Sequence, residues 1–128
     1  MGKYLLDTHT LLWVQEDSPH LSAKAKETIR KKTNEIYVSI ASFWEIVIKI
    51  SLGKLILNYT LNELHNACVF NNIIVLPIQL SNLNHLENLP FHHKDPFDRL
   101  ISATAIDLQL QVITKDGNIG KYPLNVLW

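Results

Sequence analysis

The sequence predicts an α/β fold with a central, mainly parallel sheet of about five strands. Short apolar runs suited to buried strands alternate with longer segments of helical periodicity, which is typical of a sheet covered by helices on both faces. The chain has no internal repeats, low-complexity stretches or linkers. Its 128 residues, 47% of them apolar and 19% charged, therefore indicate one domain over residues 1–128 and exclude a disordered protein.

Five apolar runs are the predicted strands, and helical segments fill the intervals between them. The strands cover residues 4–6, 36–38, 73–76, 112–114 and 125–127. The helices cover residues 8–14, 23–32, 42 to near 53, 60–70, 80–89 and 96–110. Ser22, Ser42 and Thr60 are predicted to cap three of these helices, and Pro96 opens the last one at the first helical position.

The composition excludes several classes of protein. Cys68 is the single cysteine, which excludes an intramolecular disulfide framework and a cysteine-based zinc site. No targeting segment is visible and no apolar run approaches the roughly 20 residues that a membrane span needs, so we expect a cytoplasmic location. Twelve basic residues balance twelve acidic ones, so the net charge indicates no particular partner.

Two acids directly follow predicted strands. Asp7 ends the first strand, and Asp116 follows the fourth. Each also has a purely structural interpretation, Asp7 as the N-cap of the next helix and Asp116 as a turn residue before Gly117. If the two strands are neighbours, both carboxylates lie at the sheet edge where open α/β sheets bind ligands.

Glu45 lies in an apolar helical segment between Trp44 and Ile46. Because this helix should be largely buried, an acid there is costly unless it is paired or metal-bound. An exposed pair of Glu45 with Lys49, one helical turn away, is an equally good interpretation.

Asp95 and Asp98 flank Pro96 at the start of the last predicted helix. Asp95 is predicted to cap this helix, and Asp98 at the third helical position suits the positive end of the helix dipole. Asp98 also begins a face of small residues with Ser102 and Ala105, which permits close packing near the sheet edge. We therefore assign Asp95 to capping and Asp98 to a functional site.

The four acids outside the obviously polar segments form a joint pattern. They are Asp7, Glu45, Asp98 and Asp116. Carboxylates that converge in one cleft repel one another and are tolerated when a divalent cation compensates them. Oxygen-only ligands favour Mg²⁺ or Mn²⁺ over zinc, so the pattern predicts a site for a hard divalent ion.

Four blocks of sequence carry these acids in one order along nearly the whole chain. They are YLLDTH at 4–9, SFWEI at 42–46 with GKL at 53–55, HHKDPFDRLI at 92–101 and ITKD at 113–116. In these blocks the chain resembles the PIN-domain ribonucleases, and within them the VapC-like toxins of bacterial toxin–antitoxin pairs. The resemblance implies a PIN-like three-layer α/β/α domain. Ser102, Thr104 and residues 117–120 depart from the family pattern, which touches packing and a substrate-side loop but leaves the acids intact.

The resemblance implies metal-dependent hydrolysis of RNA phosphodiester bonds, with a 5′-phosphate and a 3′-hydroxyl as products. It assigns the metal-binding and catalytic roles to Asp7, Glu45, Asp98 and Asp116, with Mg²⁺ or Mn²⁺ as the cofactor. Thr8 and Thr114 match supporting hydroxyl positions, and Asp95 is an auxiliary acid.

Phosphate contacts are expected from basic and imidazole side chains near the acids. The candidates are Lys49, His92, His93, Lys94, Arg99 and Lys115. Arg99 has a second interpretation, in which it holds neighbouring carboxylates, and for His92 and His93 a solvated loop is favoured. The basic segment 23–32 is another candidate phosphate surface, with a solvated helix face as its alternative.

The family resemblance also implies protein partners. A cognate antitoxin would cover the acidic site, and a homodimer is expected. Leu11, Leu12 and Trp13 are candidates for the dimer interface or for a groove that takes an antitoxin helix, with core packing as the alternative.

Two other functions stay open. One is a catalytically silent module that only binds RNA or a partner protein. The other is a receiver-type phosphoacceptor domain, which would need an aspartate at the end of a middle strand. The second predicted strand is followed by Ser39 and the third by Pro77, so neither supplies it.

Overall fold

A computed structural model describes residues 1–128, and its centre is one sheet of five parallel strands. The strands are β1 (Lys3–Leu6), β2 (Glu35–Ser39), β3 (Ile73–Leu76), β4 (Gln111–Ile113) and β5 (Val126–Leu127). Their order across the sheet is β3-β2-β1-β4-β5, and every neighbouring pair is parallel. The predicted fold class and all five predicted strands are confirmed.

Six helices connect the strands, as the periodicity predicts. They are α1 (Thr8–Gln15), α2 (Ala23–Arg30), α3 (Ile40–Ser51), α4 (Leu61–Phe70), α5 (Leu80–Glu87) and α6 (Pro96–Leu108). Ser22 caps α2, and Thr60 caps α4 through a capping box with Glu63. Helix α6 stops two residues earlier than predicted because Gln109 adopts a left-handed conformation.

The predicted cap of α3 is wrong. Ser39, the last residue of β2, accepts the Ala41 amide and caps the helix, so α3 begins directly after the strand. Ser42 lies inside the helix and is fully buried. Its hydroxyl lies 3.0 Å from that of Thr8, so a residue predicted as a cap belongs to the polar network around the acids.

Helices cover both faces of the sheet, which gives three layers. Consecutive strand residues point to opposite faces, so Leu6 and Ile113 pack with α1 to α4, whereas Leu5 and Val112 pack against α6. Helix α5 packs on α6 away from the sheet. None of the helices combines the length and the apolar character that crossing a lipid bilayer requires.

Helix α1 contributes mainly to the core. Leu11 and Leu12 are buried there, so they are not available as an exposed interface, and the core-packing alternative is correct for both. Trp13 is half-buried and stacks against Trp128, with ring centroids 5.7 Å apart. Of the three predicted interface residues, only Trp13 therefore keeps exposed surface.

The point where the strand order reverses lies between β1 and β4. The chain moves from the central strand β1 outward to β2 and β3, then returns to the other side for β4 and β5. In parallel sheets this arrangement leaves a crevice beyond the carboxyl ends of the two central strands. Asp7 follows β1 and Asp116 follows β4, so both acids lie at this crevice.

Candidate metal centre

Asp7 is positioned by the end of β1 and the start of α1. It caps α1 by accepting the Thr10 amide at 2.9 Å, so its predicted structural interpretation is correct. Its second carboxylate oxygen accepts the hydroxyl of Thr114, the first residue after β4. Asp7 is 4% exposed, and the Thr114 contact ties it to the neighbouring strand.

Glu45 enters the crevice from α3. It is buried, and its two oxygens have different partners: the Thr8 hydroxyl donates to Oε1 at 2.6 Å, and Lys49 Nζ lies 2.8 Å from Oε2. Both sequence interpretations are thus partly correct, since the pair with Lys49 exists but the carboxylate is not exposed. Lys49 supplies the cation that makes burial of this acid tolerable.

Asp98 reaches the same crevice from the first turn of α6. Asp95 caps that helix by accepting the amides of Phe97 and Asp98, at 2.8 and 3.0 Å, which confirms its predicted capping role. Burial raises the pKa of Asp98 to about 7, and the negative charges of Asp95, Asp7 and Glu45 add to this effect, while His93 opposes it. These interactions show that three of the predicted site acids share one electrostatic environment.

Asp116 lies in the turn after β4. It accepts the Asn118 amide at 2.8 Å, so the turn interpretation is correct as well. Burial acts to raise its pKa, but the hydrogen bond from His93 and the amides of Asn118 and Ile119 outweigh burial, and the net pKa is lowered. Asp116 is therefore ionised in the folded protein at neutral pH.

His93 connects the two acids that come from the later part of the chain. Its Nε2 lies 2.7 Å from Asp116 Oδ2 and 3.2 Å from Asp98 Oδ2, and its side chain is 12% exposed. The favoured prediction of a solvated loop is wrong for this residue. A histidine two positions before a helix-capping aspartate carries no periodicity signal, so sequence reasoning missed the contact with the acids.

The other phosphate-contact candidates have different environments. Lys49 is engaged by Glu45, and the Arg99 guanidinium is buried, where it donates to the carbonyls of Leu89 and Pro90. Arg99 thus supports a loop rather than phosphates or carboxylates. His92 packs against the ring of Tyr122.

Lys94 and Lys115 remain as exposed cations beside the acids along the chain. Neither side chain forms an ion pair in the structure. Of the six candidates, these two are free to meet a polyanion.

The donor set fits a hard divalent ion. Carboxylate oxygens dominate it, and the pKa of Asp98 is raised first by burial and then by neighbouring carboxylates, both of which a bound cation would offset. His93, Asp98 and Asp116 also bring one ligand-type atom each within 4.8 Å of one another. The residues present can therefore accommodate Mg²⁺ or Mn²⁺.

Comparisons with known proteins agree with this architecture. Among solved structures, the chain is similar to VapBC2 from Rickettsia felis, which was solved bound to a DNA fragment from the promoter of VapBC2. The identity is 15%, the match covers 98% of this chain and 97% of that chain, and the TM-score is 0.71. It is similar to FitAcB from Neisseria gonorrhoeae, with 18% identity, coverage of 98% and 96%, and a TM-score of 0.65. DNA-bound VapBC from Salmonella typhimurium shows 17% identity, coverage of 99% and 98%, and a TM-score of 0.63.

At these identities the structural likeness concerns the fold. No curated protein matches the chain. The PIN domain family matches residues 4–124, which is nearly the whole sequence. The chain therefore belongs to the PIN domain family.

Proposed function

We propose that this protein is a metal-dependent endoribonuclease and the toxin of a toxin–antitoxin pair. Membership of the PIN domain family supports a nuclease. The observation that carries the proposal is the acid cluster at one crevice, in which burial and, next, the charges of neighbouring acids raise the pKa of Asp98. A resident divalent cation is the ordinary compensation for such a cluster.

The four acids would hold the cofactor, Mg²⁺ or Mn²⁺. They are Asp7, Glu45, Asp98 and Asp116. When bound, such an ion lowers the pKa of a water molecule and offsets negative charge on the phosphoryl oxygens.

The remaining side chains of the crevice orient and balance the acids. Thr8 and Thr114 each donate a hydrogen bond to one carboxylate, to Glu45 and Asp7 respectively, and so hold these side chains in place. Lys49 neutralises the charge of Glu45. Asp95 acts as an auxiliary residue, because it caps α6 and adds negative charge beside Asp98.

RNA must approach a crevice that is itself acidic. Lys94 and Lys115 are exposed and unpaired, and each directly precedes an acid of the region in sequence. We assign to them the first contacts with substrate phosphates, which favour cationic side chains without regard to base sequence.

An antitoxin partner is part of the proposal. Structural neighbours include a toxin–antitoxin complex from Klebsiella pneumoniae, with 18% identity and a TM-score of 0.63. A homodimer is also proposed. Since Leu11 and Leu12 are buried, the exposed Trp44 and Val47 of α3 are better candidates for its interface.

The receiver-type alternative has no support. Strand β2 ends in Ser39 and β3 in Leu76, so no middle strand ends in a phosphoacceptor aspartate. Incubation with acetyl phosphate and Mg²⁺ should therefore yield no phosphoprotein.

The decisive experiment uses purified protein free of antitoxin and total cellular RNA. We expect cleavage with Mg²⁺ or Mn²⁺, none in EDTA, and none with Asp98→Asn. A matched control is Asp17→Asn, which makes the same change at an exposed acid and should cleave like the wild type. Cleavage that persists in EDTA and in Asp98→Asn would refute the proposed site, whereas no cleavage with either metal would favour the binding-only module.

A further inference from the structure

His93 is held in place by its backbone as well as its ring. Its amide donates to Tyr122 Oη at 3.0 Å, and the Tyr122 hydroxyl donates to the Pro90 carbonyl at 2.7 Å. These bonds fasten the loop that joins α5 to α6 onto the segment after β4. The imidazole therefore reaches Asp98 and Asp116 from an anchored loop.

The hydrogen bond at Nδ1 fixes the tautomer of this ring. The Asp95 amide donates to His93 Nδ1 at 3.1 Å. A backbone amide can only donate, so Nδ1 must present a lone pair and carries no proton. The ring proton then resides on Nε2, which faces Asp116 Oδ2 at 2.7 Å and Asp98 Oδ2 at 3.2 Å.

This tautomer opposes metal ligation by His93. The ring nitrogen nevertheless lies as close to the Asp98 and Asp116 oxygens as the ligands of one metal ion would. A ligating imidazole binds the ion through one nitrogen lone pair and usually donates its other N–H to an acceptor. Ligation through Nε2 would move the proton to Nδ1, where it would meet the amide hydrogen of Asp95. That amide belongs to the residue that caps α6, so it cannot turn away without disturbing the helix start.

We propose that His93 is a positioning residue whose fixed Nε2–H donates to Asp116 and holds that carboxylate beside Asp98, and that His93 does not ligate the metal. Asp98 comes from α6 and Asp116 from the turn after β4, and no other side chain bridges them. His93 thereby engages Oδ2 of Asp116 and faces Oδ2 of Asp98, while Oδ1 of Asp116 accepts the Asn118 amide. The role in catalysis rests on the proposed function, whereas the tautomer and the effect on metal binding do not.

The first test observes the tautomer directly. In ¹⁵N-labelled full-length protein, long-range ¹H–¹⁵N spectra should show His93 with a protonated Nε2 and an unprotonated Nδ1, both in EDTA and with saturating Mg²⁺. In the Mn²⁺-loaded protein, pulsed electron paramagnetic resonance should show no directly coordinated imidazole nitrogen. An Nδ1–H tautomer or a coordinated nitrogen would overturn the proposal.

The second test measures Mn²⁺ affinity in variants. His93→Ala should weaken Mn²⁺ binding by about 10- to 100-fold, the range found when a residue that orients metal ligands is removed. His93→Gln, whose amide can donate from a similar reach, should recover most of this loss. His20→Ala is the matched control and should bind like the wild type, because His20 is exposed and packs on Trp13, not on the acids.

The outcomes separate this inference from the proposed function. Unchanged Mn²⁺ affinity in His93→Ala, or no recovery in His93→Gln, would refute the positioning role whatever the enzyme does. The expected tautomer and affinities in a protein that fails to cut RNA would refute the nuclease proposal alone.

Discussion

The acid cluster has two halves that the protein stabilises in different ways. The inner pair, Asp7 and Glu45, is buried at 4% and 3% exposure, and each carboxylate accepts a threonine hydroxyl. The outer pair, Asp98 and Asp116, is partly exposed and shares a single histidine from a loop. Lys49 pairs with Glu45 of the inner pair, but neither acid of the outer pair has a lysine or arginine partner.

The difference shows which acids carry the unfavourable free energy of burying negative charge. Compensated acids can be buried as part of the framework, and the inner pair is built into the end of β1 and the middle of α3. The pKa of Asp98, raised to about 7 by burial and neighbouring acids, shows that this acid lacks such compensation, whereas His93 helps to lower the pKa of Asp116. In this protein the charge that a cation would relieve is therefore localised largely at Asp98.

The largest expected effect comes from removing one charge of the inner pair. Asp7→Asn should reduce RNA cleavage by at least about 100-fold, comparable to the loss of a group that stabilises transition-state charge. Asparagine caps helices as well as aspartate, so α1 should remain folded. Circular dichroism would verify the fold, and a loss of activity below about threefold would show that the inner pair is only structural.

Breaking the compensation of the inner pair should destabilise the metal-free protein. Lys49→Met retains the aliphatic stem but leaves Glu45 buried without its cation, at a cost of about 1–3 kcal/mol. Lys3→Met is the matched control, because it removes the exposed pair with Glu35 and should cost less than about 0.5 kcal/mol. Urea unfolding in EDTA measures the stability of both variants. Equal losses of stability would contradict the view that the buried pair matters more than the exposed pair.

Removing the charge of Asp98, in the outer pair, should instead stabilise the metal-free protein. A pKa near 7 for Asp98 in the folded state, against 3.8 for the free group, means that the folded protein binds more protons between these values. This acid therefore reduces stability progressively as pH rises from about 4 to about 7. In EDTA at pH 8, Asp98→Asn should be more stable than the wild type by roughly 1–2 kcal/mol, after allowance for its partial exposure.

Asp116 provides the control, because its substitution should change the stability in the opposite direction to Asp98→Asn. Its pKa is lowered, mainly because the His93 hydrogen bond outweighs burial, so its ionised form stabilises the fold above its ordinary pKa and this gain is lost as pH falls. Asp116→Asn should therefore destabilise the metal-free protein at pH 8. Stabilisation by both substitutions would mean that the two acids of the outer pair have the same environment.

The smallest effect is expected at the other edge of the sheet. Lys24 and Lys31 line a shallow cavity with Met1 and Gln111, at the start of β1 and β4, opposite the acids. Charges separated by more than a Debye length are screened at physiological salt, so Lys24→Glu and Lys31→Glu should change cleavage by less than about threefold. Lys115→Glu should slow it by about tenfold. A larger effect at Lys24 would assign the RNA path to α2.

Sequence reasoning predicts the framework well because buried strands and helix caps leave local signals. The apolar runs and the Thr60 and Asp95 caps are each encoded within a few residues, and the structure places all of them as predicted. The predicted Ser42 cap is wrong because β2 ends one residue later than predicted and Ser39, its last residue, caps α3 instead.

The site is harder to predict because its contacts join distant segments. Asp7, Glu45 and Asp98 stand out by their position next to apolar runs, but the partners that hold them do not. The bond from Thr8 to Glu45 and the bridge of His93 to Asp116 depend on how elements pack across the crevice. No periodicity reports such contacts, and Arg99, adjacent to an acid in sequence, turns instead to loop carbonyls.

The pairing of β1 with β4 has a consequence for synthesis of the protein. These strands meet in register at Tyr4 with Gln111, so the central ladder joins segments far apart in translation order. A ribosome-bound chain that has not yet exposed β4 lacks both the Thr114 donor for Asp7 and the fourth carboxylate. Non-local contacts of this kind also form late in folding. Incomplete chains therefore carry no assembled acid cluster, and any activity that depends on it arises only after residue 116 has joined the fold.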